Sequence, residues 1–381
     1  MSNANSNEVG GKMQATAERQ ELLDALGLVS GVAERKTTLN PVSSVFVEAR
    51  EEQLSLRATN LSTFVTARIP AEVRRAGQAC VSARTFHDVI KSLSATEEDV
   101  RLDVPRVETL EIFSGRSRFR LRSLDPDAFP ASPHAEPETT VAVSGPLLAM
   151  LIRRVYFSVL GDEMKPQMNA SLLESEGRIL RMVSTDGHRL TKAEVEVEGE
   201  GDLPFQEGVL VPRRALGEIR RLVEGREQVQ LGLSGAYLYL AGENFELATK
   251  LHAEQFPPYR DVIPTDLERK VVVERLALMD AIKRVSLLSA EDTHGVRFQF
   301  ANGNMEVVAN NPDLGEAREE LEADYDGADF HVVFNSRYFV EILSEMDSEE
   351  VVLHLGEDLD PCLLHGVDDP GYLGVIMPLR F

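Results

Sequence analysis

Apolar and polar positions alternate in the same way at three places along this chain. Leu54, Leu56 and Ala58 lead to Asn60; Leu180, Met182 and Ser184 lead to Asp186; Met305, Val307 and Ala309 lead to Asn311. A period of two marks a strand with one buried face, and Asn or Asp tolerates the turn that follows. The three turn residues recur at a spacing of about 125 residues. A second pattern keeps step with the first. VSARTFHDVI (81–90), LVPRRALGEI (210–219) and VFNSRYFVEI (333–342) each carry an arginine and two spaced apolar residues: Arg84/Phe86/Val89, Arg214/Leu216/Ile219 and Arg337/Phe339/Ile342. Each predicts a strand ending at Ser, Pro or Asn, the residue that opens a short helix. A third pattern, with apolar residues three and four apart, predicts a helix ahead of each alternating strand. It contains Leu26-Gly-Leu-Val29, Ile152-Arg-Arg-Val155 and Ile282-Lys-Arg-Val285.

Each copy is expected to close with a long apolar strand, and two of them run into Phe129-Pro130 and Phe256-Pro257. With linkers near residues 137 and 266, the chain reads as three similar α+β domains of about 120 residues, each a layer of strands with two helices. Their bounds are 13–137, 138–266 and 267–381, after a polar N-terminal extension, 1–12, expected to be disordered. The period is too long for a solenoid.

Composition narrows the class. The 381 residues are 43% hydrophobic, enough for more than one globular core. The longest apolar run, around Val143–Ile152, falls short of the roughly 18 residues of a spanning helix. The N-terminus has neither a basic nor an apolar region of a signal peptide. Two distant cysteines, Cys80 and Cys362, fit a reduced cytoplasm without a disulfide. A cytoplasmic protein with no membrane partner is expected.

The net charge of −23 opposes binding to a phosphate backbone unless positive charge is segregated. The predicted helices do collect it. A helix over 213–226 carries Arg213, Arg214, Arg220, Arg221 and Arg226 against Glu218 and Glu224, while acid gathers at 194–202 and 316–329. The first helix departs from this, with Glu18, Glu21 and Asp24. Charge alone leaves open whether these are solvated helix faces or one layer facing a polyanion.

No nucleotide-binding, zinc-protease, paired-cysteine or nucleophile-elbow motif is present, so no cofactor, metal ligand or catalytic residue is expected. The stretch MVSTDGHRL (182–190) predicts a strand, an Asp-Gly turn, and His188, Arg189 and Leu190 beyond it. Such a turn offers an anion contact beside an apolar surface, which suits either a catalytic site or the rim of a peptide pocket. Asp186 and His188 lack an accompanying nucleophile or metal cluster.

Six motifs in order then carry a resemblance: SGRSRF (114–119), STDGHRL (184–190), FPPYRDVIP (256–264), ANNP (309–312), FNSRY (334–338) and VIMPLRF (375–381). Over residues 13–381 the chain resembles the bacterial DNA polymerase III β subunits, the sliding clamps. The resemblance implies three clamp domains, assembled as a head-to-tail homodimeric ring with helices lining the hole. It implies a non-catalytic processivity factor that encircles double-stranded DNA without sequence preference. Its partners would be the DNA polymerase III α subunit, the clamp loader and other proteins carrying a clamp-binding motif. The DNA-facing residues implied are Lys36, Arg84, Lys91, Arg153, Arg154, Arg213, Arg214, Arg220, Arg221, Lys283, Arg284 and Arg337.

The family's peptide pocket maps onto Lys165, Met168, Thr185, Gly187, His188, Arg189, Leu190, Pro257, Val262, Asn335, Tyr338, Leu359, Pro361, Val375, Ile376, Met377, Pro378 and Leu379. Lys165 stands where the family often has Arg, Met168 where it usually has Leu, and Asp261 where a basic residue is common. The dimer contact implied involves Arg116, Arg118, Phe119, Leu121, Leu287 and Leu288, with the two arginines opposite acidic Glu316–Glu319. The other reading is a peptide-docking scaffold, such as a second, inhibitor-resistant clamp copy with altered partner preference.

Overall fold

The computed structural model describes residues 13–34, 40–106, 108–133, 137 and 139–380. The N-terminal extension and Lys36 lie outside the described residues.

One order of elements is repeated three times. The first copy runs β1 (Gln14–Glu18), α1 (Arg19–Ser30), β2 (Ser44–Arg50), β3 (Gln53–Thr59), β4 (Thr63–Pro70), β5 (Glu72–Arg75), β6 (Gly77–Ser82), α2 (Ala83–Ser92), β7 (Asp99–Arg106), β8 (Thr109–Ser114) and β9 (Ser117–Leu124). The second runs β10 (Thr140–Ser144), α3 (Gly145–Tyr156), β11 (Ala170–Glu176), β12 (Ile179–Thr185), β13 (Arg189–Glu196), β14 (Val209–Pro212), α4 (Arg213–Val223), β15 (Gln228–Ser234), β16 (Tyr237–Ala241) and β17 (Phe245–Lys250). The third runs β18 (Arg269–Glu274), α5 (Arg275–Val285), β19 (Gly295–Ala301), β20 (Asn304–Asn311), β21 (Gly315–Glu322), β22 (Phe330–Asn335), α6 (Ser336–Ser344), β23 (Glu350–Leu355), β24 (Cys362–Gly366) and β25 (Asp369–Ile376). Among the strands and α-helices of the described residues, only β5 has no counterpart in the other two copies.

The alternation places β3, β12 and β20 with their periodic side chains inward: Leu54, Leu56, Leu180, Met182, Met305 and Val307 are all buried. Ser82 caps α2 by accepting the Thr85 N–H, and Asn335 caps α6 by accepting the Arg337 N–H, while Pro212 precedes α4. A capping oxygen satisfies a donor that the first helical turn leaves orphaned. The buried residues of α1, Leu22, Ala25, Leu26 and Val29, lie three and four apart, as the helical period requires. Two expectations need correction. Helix α4 stops at Val223 rather than 226, because Gly225 adopts φ +72°, outside helical geometry. The first copy closes with β9, whose arginines 118, 120 and 122 alternate with half-buried positions; it is a two-faced strand and not an apolar one.

Contacts group the chain into two compact units. The first comprises the residues up to Pro146 together with Arg221–Leu251. Its 13-stranded sheet has the order β10-β15-β16-β17-β4-β3-β2-β6-β9-β8-β7-β1-β5. Here β17 pairs with β4, from Phe245 opposite Ala67 to Thr249 opposite Thr63. The Thr63 and Thr249 hydroxyls meet at 2.9 Å, and Arg68 pairs with Glu246 at 2.8 Å.

The second unit comprises Leu147–Arg220 and His252–Phe381. It holds an eight-stranded sheet, β14-β11-β12-β13-β25-β24-β23-β18, and a four-stranded sheet, β21-β20-β19-β22. Within it β25 pairs with β13, from Arg189 opposite Ile376 to Ala193 opposite Tyr372. The two junctions follow one rule: the last strand of a copy pairs with the fourth strand-forming position of the copy before it, β17 on β4 and β25 on β13.

Candidate functional site

The turn between β12 and β13 is built by its own side chains. Asp186 Oδ1 accepts the backbone N–H groups of His188 and Arg189, each at 3.0 Å. Thr185 Oγ1 donates to the Arg189 carbonyl at 2.7 Å and accepts the Gly187 N–H at 3.1 Å. Gly187 has φ +89°, and a Cβ there would stand 3.4 Å from Met168 Cε. The left-handed region suits glycine because it has no Cβ to clash. Met168 is held beside it by a turn at Lys165, whose carbonyl accepts the Met168 and Asn169 N–H groups at 2.9 Å.

Arg189 does not present its charge outward. The residue is 8% exposed. Its Nε donates to Asp186 at 3.1 Å, one terminal nitrogen donates to Glu341, and the other to the Phe157 carbonyl at 2.7 Å. The guanidinium lies 4.4 Å from the Tyr338 ring centroid and 5.1 Å from that of Phe157. The anion contact expected of Arg189 is therefore taken by internal carboxylates, and its role is to tie the turn to α6 and the end of α3. Burial, then the nearby Asp186 carboxylate, raises the Tyr338 hydroxyl pKa. Asn335 is likewise committed: its side chain caps α6 and donates to the Thr293 carbonyl at 3.2 Å.

The β13–β25 pairing sets Leu190 opposite Val375. These two, with Val183 and Tyr259, form a buried cluster, and Leu172, Phe256, Ile263, Leu363 and Leu373 pack against it while remaining partly open. The Met377 N–H donates to the His188 carbonyl at 2.9 Å, continuing the ladder past the end of β25, and the Leu379 N–H donates to Val333 at 2.8 Å. Exposed apolar side chains adjoin this floor at Val262 (42%), whose N–H donates to the Tyr259 carbonyl at 3.1 Å, and at Met377 (38%), while Leu359 in the loop before β24 is 58% exposed. Lys165 and His188 are exposed too, and Pro257, Pro361, Pro378 and Leu379 are half-buried. Ile376 is fully buried, so it supports the surface from beneath.

Tyr259, Phe256, Val183, Leu172, Ile263, Leu363 and Leu373 were not among the expected pocket residues. Three of them lie in the FPPYRDVIP segment, and its density of aromatic and proline residues was the available signal. Tyr259 is anchored from below, its hydroxyl donating to Glu174 at 2.5 Å. Arg181 and Arg260 each donate to the same carboxylate at 2.8 Å. Burial acts to raise the Glu174 pKa, but the Tyr259 and Arg181 hydrogen bonds and the neighbouring guanidinium charges outweigh it and leave the carboxyl below its ordinary value. Burial and that carboxylate push the Tyr259 hydroxyl up to about 12.

The basic residues expected to face DNA divide into several kinds. Arg84, Lys91 and Arg337 are exposed, and Arg84 has Asp88 at 3.8 Å. Arg153, Arg214, Lys283 and Arg284 are exposed but paired with Glu345, Glu163, Asp280 and Glu319. Arg213 and Arg220 lie over the Tyr156 ring at 4.9 and 5.6 Å. Arg221 donates to the Gly27 and Leu28 carbonyls at 2.8 and 2.6 Å near the end of α1. Arg154 corrects the expectation outright. It is 3% exposed and bound to Asp347 at 2.9 Å and Asp369 at 2.6 Å, so it cannot reach a phosphate.

At the expected dimer contact, Arg118 and Arg120 both hold Glu111 at 2.8 Å. Arg284 holds Glu319 and Arg318 holds Glu316. The acidic groups expected opposite Arg116 and Arg118 thus have partners within their own chain. Arg116 is exposed, Phe119 and Leu121 are half-buried, Leu287 is 78% exposed and Leu288 half-buried.

Comparison with known proteins agrees with the repeated architecture. Family models for the DNA polymerase III beta subunit match in succession: the N-terminal domain at 13–133, the central domain at 142–258 and the C-terminal domain at 260–380. The beta sliding clamp of Pseudomonas aeruginosa is 33% identical over 374 residues, and that of Pseudomonas putida 35% over 373; each match covers 97% of this chain and all of the relative. A crystal structure of the P. aeruginosa clamp bound to griselimycin superposes with a TM-score of 0.90 at 32% identity, covering 98% of this chain and all of the other. A Caulobacter crescentus clamp, crystallised with polyethylene glycol at its putative beta-motif tethering region, gives 0.92 at 32% identity, covering 97% of this chain and all of the other. Three domain models in order, full-length relatives and full-length structural matches make this chain a member of the bacterial DNA polymerase III β subunit family, the beta sliding clamps.

Proposed function

We propose that two copies of this chain close head to tail into a ring around duplex DNA, and that the surface over Leu190 and Val375 receives the tail peptides of its partners. As a family member the chain is a non-catalytic accessory subunit of the replicative polymerase. The partners proposed are the DNA polymerase III α subunit, the clamp loader and other clamp-binding proteins, acting in the cytoplasm. Clamp-domain bounds of 13–137, 138–266 and 267–381 go with this reading.

One observation carries the ring. The junction rule that puts β17 on β4 and β25 on β13 leaves two strands over, β9 at the end of the first copy and β21 in the third. Among the described residues, Ser117–Arg122 of β9 pairs only with β8, and β21 is the edge of its sheet. Applying the rule between two chains pairs β9 of one with β21 of the other, twice, and removes both edges. Three arginines on β9 facing four glutamates on β21 favour that pairing over a like-with-like one. A topological link needs little affinity for DNA, so the charge of −23 is compatible with it.

The pocket reading is supported by an apolar floor with an exposed apolar rim, the kind of surface that anchors aromatic and aliphatic side chains; the adaptable thioethers of Met168 and Met377 suit varied tails. A relative, the Caulobacter protein, is described with a beta-motif tethering region of its own, which supports looking for such a surface here.

A second reading, a peptide-docking scaffold that no longer encircles DNA, is favoured by the burial of Arg154 and by the many basic side chains already paired to carboxylates. Incubation with clamp loader, ATP and nicked circular plasmid separates the two. A ring is retained on the circle and released when the plasmid is cut once. Equal retention on open-ended DNA, or none on the circle, supports the scaffold. For the pocket, deletion of 377–381 is expected to abolish binding of a polymerase-tail peptide while the dimer persists; unchanged peptide affinity removes the assignment.

A further inference from the structure

Two histidines that carry none of the roles assigned above meet across neighbouring strands of the eight-stranded sheet, next to Leu363 and Leu373. His354 on β23 and His365 on β24 bring their Nε2 atoms to 3.2 Å, with the rings stacked 5.3 Å apart at an interplanar angle of 26°. Both are half-buried on the face opposite the core-facing Val351, Leu353 and Leu355. We propose that this pair is a divalent transition-metal site, for an ion of the Zn2+, Ni2+ or Cu2+ class, bound through the two Nε2 atoms.

The Nε2–Nε2 spacing suits a chelate. Zinc–imidazole bonds of about 2.0–2.1 Å in a tetrahedron separate two ligand nitrogens by about 3.3 Å, close to the spacing already present. A second shell is in place, because His365 Nδ1 lies 2.9 Å from the Gly366 carbonyl. A donor N–H there fixes the tautomer, as outer-shell carbonyls do in established sites, and leaves Nε2 as an acceptor towards His354 Nε2, a hydrogen bond that a bound metal replaces. Lys270 stands opposite His354 on β18, and its charge opposes a bound cation. Among the described residues no group of three or more His, Cys, Asp or Glu could hold a metal. The site therefore has two protein ligands, and its remaining positions fall to water. An imidazole pair without carboxylates selects against Mg2+ and Ca2+, which require oxygen ligands.

The placement connects the ion to the surface beside it. His354 is opposite Leu363, and His365 is opposite Leu373; both leucines pack against the Leu190–Val375 cluster. A metal clamping β23 to β24 stiffens the strands that carry these leucines.

Calorimetric titration of the full-length chain with Zn2+ and Ni2+ at pH 7.5, after chelator treatment, tests the site. Wild type is expected to bind with an affinity that falls at least about tenfold in H354Q and in H365Q separately, with Mg2+ giving no heat. The His354 and His365 ring resonances, followed by NMR, should be the ones that shift. Equal affinity in wild type and both variants, or ring shifts confined to other histidines, overturns the proposal, as does the absence of binding by folded wild type at millimolar ion. Circular dichroism of the variants distinguishes loss of a ligand from loss of the fold.

Discussion

The guanidinium of Arg189 lies 4.4 Å from the centroid of the Tyr338 ring, on a side chain that also bonds Asp186, Glu341 and the Phe157 carbonyl. This places a buried charge at the point where the β12–β13 turn, helix α6 and the segment after α3 meet. Truncation in R189A leaves Asp186 and Glu341 without their cation. Removing one partner of a buried pair costs about 3–5 kcal/mol; the lower end is expected because Glu341 keeps 44% of its side chain in solvent. Urea unfolding should show that loss, with weakened tail-peptide binding as the turn slackens. R189K should recover only part of it, since an ammonium cannot fork between three acceptors. Wild-type stability in R189A would show that the network contributes nothing net.

Gly187 meets two constraints at once, φ +89° and Met168 Cε at 3.4 Å from a prospective Cβ. The second is ordinary contact, so conformation decides the outcome. A left-handed residue with a Cβ costs roughly 1–2 kcal/mol. G187A is expected to lower stability by that amount and to reduce peptide affinity, with the dimer intact. If G187A in an M168A background recovers peptide binding, contact and not backbone strain is the cause.

The Glu174–Tyr259 pair predicts how stability responds to pH at both extremes. The Glu174 carboxyl is held below its ordinary value of 4.5, so the unfolded chain binds more protons in acid. Its contribution is present above pH 4.5 and is lost as pH falls through the folded-state value. Tyr259, raised from 10.0 to about 12, contributes fully below pH 10 and loses that contribution as pH rises towards 12. Urea midpoints measured across pH should fall less steeply below pH 4.5 in E174Q than in wild type. Y259F should remove part of the fall between pH 10 and 12. Parallel pH profiles for wild type and both variants would contradict this linkage.

What the sequence disclosed follows from which interactions are local. Alternation around Leu54, Leu180 and Met305 and the caps at Ser82 and Asn335 involve neighbours a few residues apart, and the structure has them as expected. The inward course of Arg154 is not legible in the sequence because its partners, Asp347 and Asp369, stand far off in the chain. A basic pair in a helical pattern gives no sign that one member points inward. The same holds for Arg189, whose Glu341 partner belongs to another repeat. The place of Tyr259 is not legible either, because it depends on a carboxylate in β11. The histidine pair was invisible for a related reason, since spacing in sequence says nothing about two residues that meet only through strand register.

The last prediction concerns the edge strands. On β9 the half-buried Phe119 and Leu121 alternate with exposed Arg118 and Arg120, and both arginines already neutralise Glu111. Since Arg284 and Arg318 occupy Glu319 and Glu316 in the same chain, salt bridges from Arg118 or Arg120 to those two glutamates have to be taken from existing pairs and add little. The apolar members should carry the association, as they do in most stable interfaces. L121E is therefore expected to shift sedimentation from twice the chain mass towards 42.2 kDa, whereas R118A should leave the dimer largely intact. Raising salt should have a small effect, because paired surface charges are worth about 0–1 kcal/mol. A dimer that survives L121E yet dissociates in R118A or in high salt would mean that charge, not the apolar edge, joins the two chains.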